Sequence, residues 1–177
     1  MLDALVESSG RLGDIRVLDG EDLFVQKALA AVKTWTFLPA RSVEKVVETR
    51  IGIVFQFPGS MASVRAPQEH RYEERLTDVP ERGALPILAP EPDSAQTRGA
   101  EGSVILCEQV NSQGQVTWVE VVRGQDPLTA ATVAATRQWH FVPARRGGAD
   151  SASEVVVVVT FRRSATLAHV PASSSAH

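Results

Sequence analysis

Few side chains in this 177-residue chain have reactive potential. Cys107 is the single cysteine, and His70, His140, His169 and His177 are the four histidines. A thiol paired with an imidazole would suggest a nucleophile and its base, and clustered histidines would suggest a metal. Neither pattern is present. The histidines are scattered, with no spacing that brings two nitrogens onto one ion, and Cys107 falls within an alternating apolar run where a small half-buried hydrophobe is the expected role. The Ser-Gly pairs belong to turns, and no glycine-rich phosphate loop leads into a helix. The sequence therefore predicts no enzyme activity, no metal and no cofactor.

Composition narrows the alternatives. With 44% hydrophobic and 22% charged residues, the chain has ordinary globular proportions. A formal net charge of -3 carries no basic footprint for nucleic acid. No run reaches the roughly 18 apolar residues of a membrane helix, and no basic region followed by an apolar signal core opens the chain.

The strongest feature is a duplication. Trp35-Thr36-Phe37-Leu38-Pro39-Ala40-Arg41 reappears as Trp139-His140-Phe141-Val142-Pro143-Ala144-Arg145. The same offset of 104 residues, without a gap, aligns Leu2 with Leu106, Val6 with Val110, Gly10 with Gly114, Val17 with Val121, Gly20 with Gly124 and Phe57 with Phe161. This predicts two modules, residues 1–58 and 90–163, joined by a mobile linker at 59–89 and followed by a disordered tail at 164–177.

Each module reads as strand, strand, helix, strand. Val104, Leu106 and Val110 alternate, Gly114 supplies a turn with positive φ, and Val116 to Val122 return; Gly10 makes the same turn in the first copy. After Gly20 and Gly124 the period lengthens to about 3.6, with Asp22 and Asp126 as expected N-caps and Phe24, Ala28, Ala31 and Trp35 on one helical stripe. Pro39 and Pro143 are expected to stop the helices. Ile51, Ile53, Phe55 and Phe57 close the first copy, and Val155, Val157, Val159 and Phe161 the second. Val156 and Val158 make the second closing strand apolar on both faces, so it is either central or covered on both sides; left exposed, it would be an adhesive edge. Glu108 breaks its strand's apolar alternation and predicts a wet face. The fold class is α+β: two tandem modules, each an antiparallel three-stranded sheet with a helix on one face.

These motifs resemble the C-terminal domain of TonB-type energy transducers. The second copy matches throughout: Pro90-Glu91-Pro92 and Ala95, where the resemblance implies a short leading helix, precede Gly99-Ala100-Glu101-Gly102-Ser103-Val104, then Gly114-Gln115-Val116, Trp139 to Ala144, and Val157 to Phe161. The first copy has Met1 at the position of Ile105 and lacks the leading helix. It is therefore expected to be a fragment or to complete itself with a borrowed element. The membrane helix and proline-rich spacer of a full transducer have no counterpart, so the resemblance implies the recognition end alone.

That resemblance implies a periplasmic module, normally anchored to the inner membrane, that docks an extended segment of an outer-membrane transporter by strand addition. It also implies an inner-membrane proton-driven complex as partner. Strand addition uses backbone hydrogen bonds, with alternate side chains giving specificity. The expected docking edges are Val155, Val156, Val157, Val158, Val159 and Phe161, or Ile51, Ile53, Phe55 and Phe57. Arg41 and Arg145 are weaker candidates, either recognising a carboxylate or capping a helix end. Trp35, Phe37, Pro39, Trp139, Phe141, Pro143, Gly10 and Gly114 read as structural: helix stops, core caps and turns. In the competing reading the two copies pair with each other, or with a second chain as a homodimer, through those same strands and act as a structural adaptor.

Overall fold

In a computed structural model, residues 1–42, 45–58, 81–97 and 99–162 are described. The first half runs β1 (Leu2–Val6), β2 (Leu12–Val17), α1 (Asp22–Val32), the small hairpin β3 (Ala40–Ser42) and β4 (Lys45–Val47), and β5 (Thr49–Gln56). An arm follows, comprising β6 (Leu85–Leu88) and the short α2 (Ser94–Thr97). The second half repeats the first order: β7 (Gly102–Val110), β8 (Val116–Arg123), α3 (Leu128–Thr136), β9 (His140–Val142), the hairpin β10 (Ala144–Arg146) and β11 (Ala149–Ser151), and β12 (Ser153–Phe161).

The halves do not form separate three-stranded sheets. They share one six-stranded sheet in the order β2-β1-β5-β12-β7-β8. Pairing is antiparallel within each half, and at the centre β5 and β12 run parallel, Gly52 opposite Val155 and Val54 opposite Val157. Their composition explains the junction: a strand apolar on both faces has no solvated side, and burial of a valine side chain contributes about 1.5–3 kcal/mol. Val155 to Val159 are all buried.

Side chains alternate across a sheet, so two copies of one strand lying parallel side by side can send their equivalent residues to opposite faces. Val155, Val157 and Val159 join Val54, Val104, Leu106 and Leu128 of α3 in one core. Their counterparts Ile51 and Ile53 join Leu2, Val6, Val156, Val158 and Val32 of α1 in another. The helices thus cover opposite faces, in the pattern of a pseudo-two-fold axis along the central strands.

Local structure follows the expected signals with some displacement. Gly10 and Gly114 turn their hairpins at φ +79° and +76°, and a Cβ on either would strike the carbonyl oxygen of Phe37 or Phe141. Those aromatic residues return the contact, each donating its backbone N–H to the turn glycine's oxygen at 2.8 Å. The N-cap positions are Glu21 and Pro127, not Asp22 and Asp126. The helices end at Val32 and Thr136, well before Pro39 and Pro143, because the chain tightens into i→i−3 turns that carry the amides of Trp35 and Trp139. Glu108 does not mark a wet face; it is fully buried beneath α3.

The expected linker is also corrected over part of its length. Residues 82–85 are buried, and β6 pairs antiparallel with β9. The remainder of that stretch, 59–80, and the expected tail at 164–177 lie outside the described residues.

Candidate functional site

Both strands expected to offer a docking edge are interior. β12 is paired along its length to β7 and over Val155–Val159 to β5, while β5 is paired to β1 on its other side. Val155, Val156, Val157, Val158, Val159 and Ile53 are therefore paired on both sides, while Ile51 pairs with β1, Phe55 with β12 and Phe161 with β7 on one side of an interior strand. Phe57 lies just beyond β5, its ring 5.0 Å from that of Phe24 on α1. The alternation that revealed an apolar strand could not distinguish an edge from a centre.

The sheet's outer strands are β2 and β8, and they differ. β2 carries Asp14 and Arg16, which pair at 2.9 Å, and a bulge interrupts its register with β1. Charges and bulges are ordinary defences of an open edge. β8 also has a register with β7 that is interrupted twice, and it carries Glu120 and Arg123, but it exposes Trp118 (49%), Val121 (46%) and Val122 (61%). Among the described residues, β8 has a strand neighbour on one side only.

The two copies of the Trp-x-Phe-x-Pro-Ala-Arg segment have different surroundings. Trp139 and Phe141 are buried, and the Trp139 indole donates to the Pro90 carbonyl at 3.0 Å. The arm continues along the segment: β6 pairs with β9, Arg82 and Arg145 exchange backbone hydrogen bonds at 3.1 and 2.9 Å, and the Arg82 guanidinium donates to the Pro143 carbonyl at 2.7 Å. Beneath it, Asp3 accepts the Gly83 N–H at 2.9 Å and the Arg50 guanidinium at 2.7 Å, and Gly52 leaves room for the Ala84 carbonyl. The Arg145 side chain braces its own hairpin by donating to Gly148.

No arm covers the first copy among the described residues. Trp35 and Phe37 stack as their counterparts do, with centroids 6.2 Å apart against 6.1 Å, but both are only half-buried. Leu38 is 96% exposed and Arg41 points outward. Beside them a groove of about 1020 Å³ crosses the exposed face of β12 and β7, with Cys107 and Val156 on its floor. Burial, reinforced by Glu154, Glu120 and Glu108, pushes the Cys107 thiol up to about 11, so it stays protonated and a poor nucleophile.

Burial also pushes the Glu108 carboxyl up to about 7, opposed by the neighbouring Thr136 hydroxyl. Neither Glu108 oxygen has a partner within hydrogen-bonding distance. His140 is exposed and its Nδ1 lies 3.2 Å from the Gln138 carbonyl; the other three histidines lie outside the described residues. No group of three potential metal ligands comes together among the described residues.

The family model of the Gram-negative bacterial TonB protein C-terminal matches residues 92–162. Those residues are a TonB-type C-terminal domain. The TonB domain accordingly comprises α2, β7, β8, α3 and the strands through β12. A curated relative, Protein tonB2 of Pseudomonas aeruginosa, is 38% identical over 83 residues, which cover 45% of this chain and 31% of that protein. The match thus spans about a third of the relative's length. The solution NMR structure of the Pseudomonas aeruginosa TonB CTD is similar at 23% identity and a TM-score of 0.38, covering 47% of this chain and 89% of that one. No helix among the described residues is long and apolar enough to cross a membrane.

Proposed function

We propose that the chain is the periplasmic protein-binding and coupling part of a TonB-type energy transducer. It docks extended segments of outer-membrane transporters by strand addition and relays force from an inner-membrane proton-driven complex. The observation that carries the reading is the TonB C-terminal domain at residues 92–162, whose outer strand β8 has a neighbour on one side only among the described residues and exposes Trp118, Val121 and Val122. Backbone pairing along β8 would supply affinity, and Trp118 and Val122 would supply side-chain selectivity on one face. No reactive side chain is required, consistent with a Cys107 thiol held protonated.

A second reading is favoured by the parallel pairing of β5 with β12. Here the chain is a structural periplasmic adaptor whose halves satisfy each other and which transduces no energy. Titration of the isotope-labelled chain with a synthetic peptide from the periplasmic segment of an outer-membrane transporter separates the two. Amide shifts confined to Val116–Arg123 support docking. An absence of shifts, with light scattering reporting one mass at all concentrations, supports the adaptor; a mass that doubles with concentration supports a homodimer.

A further inference from the structure

The arm that covers the second copy identifies what the first copy lacks. By the 104-residue offset, Trp35 corresponds to Trp139, Thr36–Leu38 to β9, Arg41 to Arg145, Cys107 to Asp3 and Val156 to Gly52. On one face of the sheet the space between the signature segment and the central strands is filled by residues 82–90, paired to β9 and accepting the Trp139 indole N–H. On the other face the equivalent space is the groove beside Trp35. No strand pairs with Thr36–Leu38 there, and the Trp35 indole has no acceptor among the described residues.

We propose that this groove is a second docking site, taking an extended, leucine- and proline-rich segment of a partner protein that runs antiparallel to Thr36–Arg41 as the arm runs along His140–Arg145. The inference rests on the duplication and holds whether or not transporters dock on β8. Its chemistry is specified by the walls. The amino-terminal end of such a segment lies beside Arg41 and Arg146, which favour an acidic residue there. Glu120 and Glu154, at the positions of Arg16 and Arg50 and close to Cys107, disfavour a second acid after the first, while Ile105, Val156 and the exposed Leu38 favour apolar side chains. A carbonyl near Trp35 satisfies its indole, as Pro90 satisfies Trp139. Val156 and Cys107 replace the glycine and aspartate that hold the native arm close, so the occupant sits higher off the sheet and depends more on side-chain burial.

The probe is a synthetic peptide with the sequence of residues 81–92, titrated into the labelled full chain to millimolar concentration, the order of the effective concentration of a tethered arm. The three tryptophan indole signals report the three locations. The expected result is a saturable shift of Trp35 with Trp118 and Trp139 unmoved, weakened at least fivefold by Leu38→Asp and by replacing the peptide's leading glutamate with lysine. Leu38 is solvent-exposed, so that variant keeps its fold, which an unchanged Trp139 signal verifies. A shift at Trp139 instead would mean that the peptide displaces the native arm, and would overturn the proposal. So would an unmoved Trp35, or a Trp35 signal that changes with protein concentration alone, which would assign the groove to a second copy of this chain. Loss of the groove signal while a transporter peptide still perturbs β8 refutes this site and leaves the proposed function standing; the converse refutes that function and leaves the site.

Discussion

The two halves carry the same signature with different degrees of closure. In the second, α3 buries Leu128, Ala131, Thr132, Ala135 and Thr136, and Trp139 sits in the core; in the first, α1 buries only Val32, and Trp35 remains half-exposed. The difference does not come from the Trp-Phe contact, which is alike in the two halves. It comes from residues 81–97, which close one side and have no counterpart on the other among the described residues. A repeated motif therefore specifies a local shape, while its burial is decided by which chain segment lies against it.

That contrast can be broken most forcefully at the tryptophans. Trp139→Ala is expected to cost about 3–5 kcal/mol, the usual penalty for emptying a large core site, whereas Trp35→Ala should cost roughly half as much because water already reaches the ring. Guanidinium unfolding of both variants measures this; equal losses would erase the distinction between closed and open halves. Asp3 is the next lever, since it ties the arm to the sheet through Gly83 and Arg50. Asp3→Ala removes the buried one of the two carboxylates that Arg50 pairs with, Asp14 remaining, and leaves the Gly83 N–H without its acceptor, so it should cost about 2 kcal/mol. Cys107→Ala at the equivalent open position should cost about 1 kcal/mol in the same assay.

Glu108 offers a gain rather than a loss. Its counterpart Ala4 is also fully buried but apolar. A carboxyl whose folded pKa is raised to about 7 from 4.5 binds a proton more readily in the folded chain, so its contribution is full below pH 4.5 and is lost as pH rises to 7. Glu108→Gln should therefore flatten the stability profile between those values and stabilise the protein at pH 8 by up to about 3 kcal/mol. Thermal melts across that range supply the measurement, and a profile unchanged by the substitution would show that Glu108 is not the titrating group. The smallest effect is expected at Leu38→Ser, within about 0.5 kcal/mol of the parent, against a loss of about 1 kcal/mol for Val142→Ser, which faces Leu85 across the β6–β9 pair.

Much of this organisation was legible in the residues. Turn glycines at 10 and 114, period-two strands and alanine-bearing helices occur where pattern placed them, and the short helix before Gly102 where the family resemblance implied it. The site was less legible. Five consecutive valines announce burial on both faces, but periodicity carries no information about which strand lies alongside, and here each closing strand lies beside the other. Charge misled at Glu108, whose alternation with Leu106 and Val110 places it inward whatever its polarity. The arm falls within the stretch read as a linker and itself carries Gly83 and Pro86. The glycine N–H reaches Asp3, and Pro86 sits on a strand that pairs on one side only among the described residues.

The central claim is that the duplicated halves close into one sheet through their final strands, and amide hydrogen exchange tests it most directly. A strand paired on both sides has consecutive amides protected, while an edge strand protects only alternate ones. The account predicts uninterrupted slow exchange from Val155 to Val159 and alternating protection along Val116–Arg123. Rapid exchange at every second residue of Val155–Val159 would show β12 to be a free edge and would contradict the shared sheet.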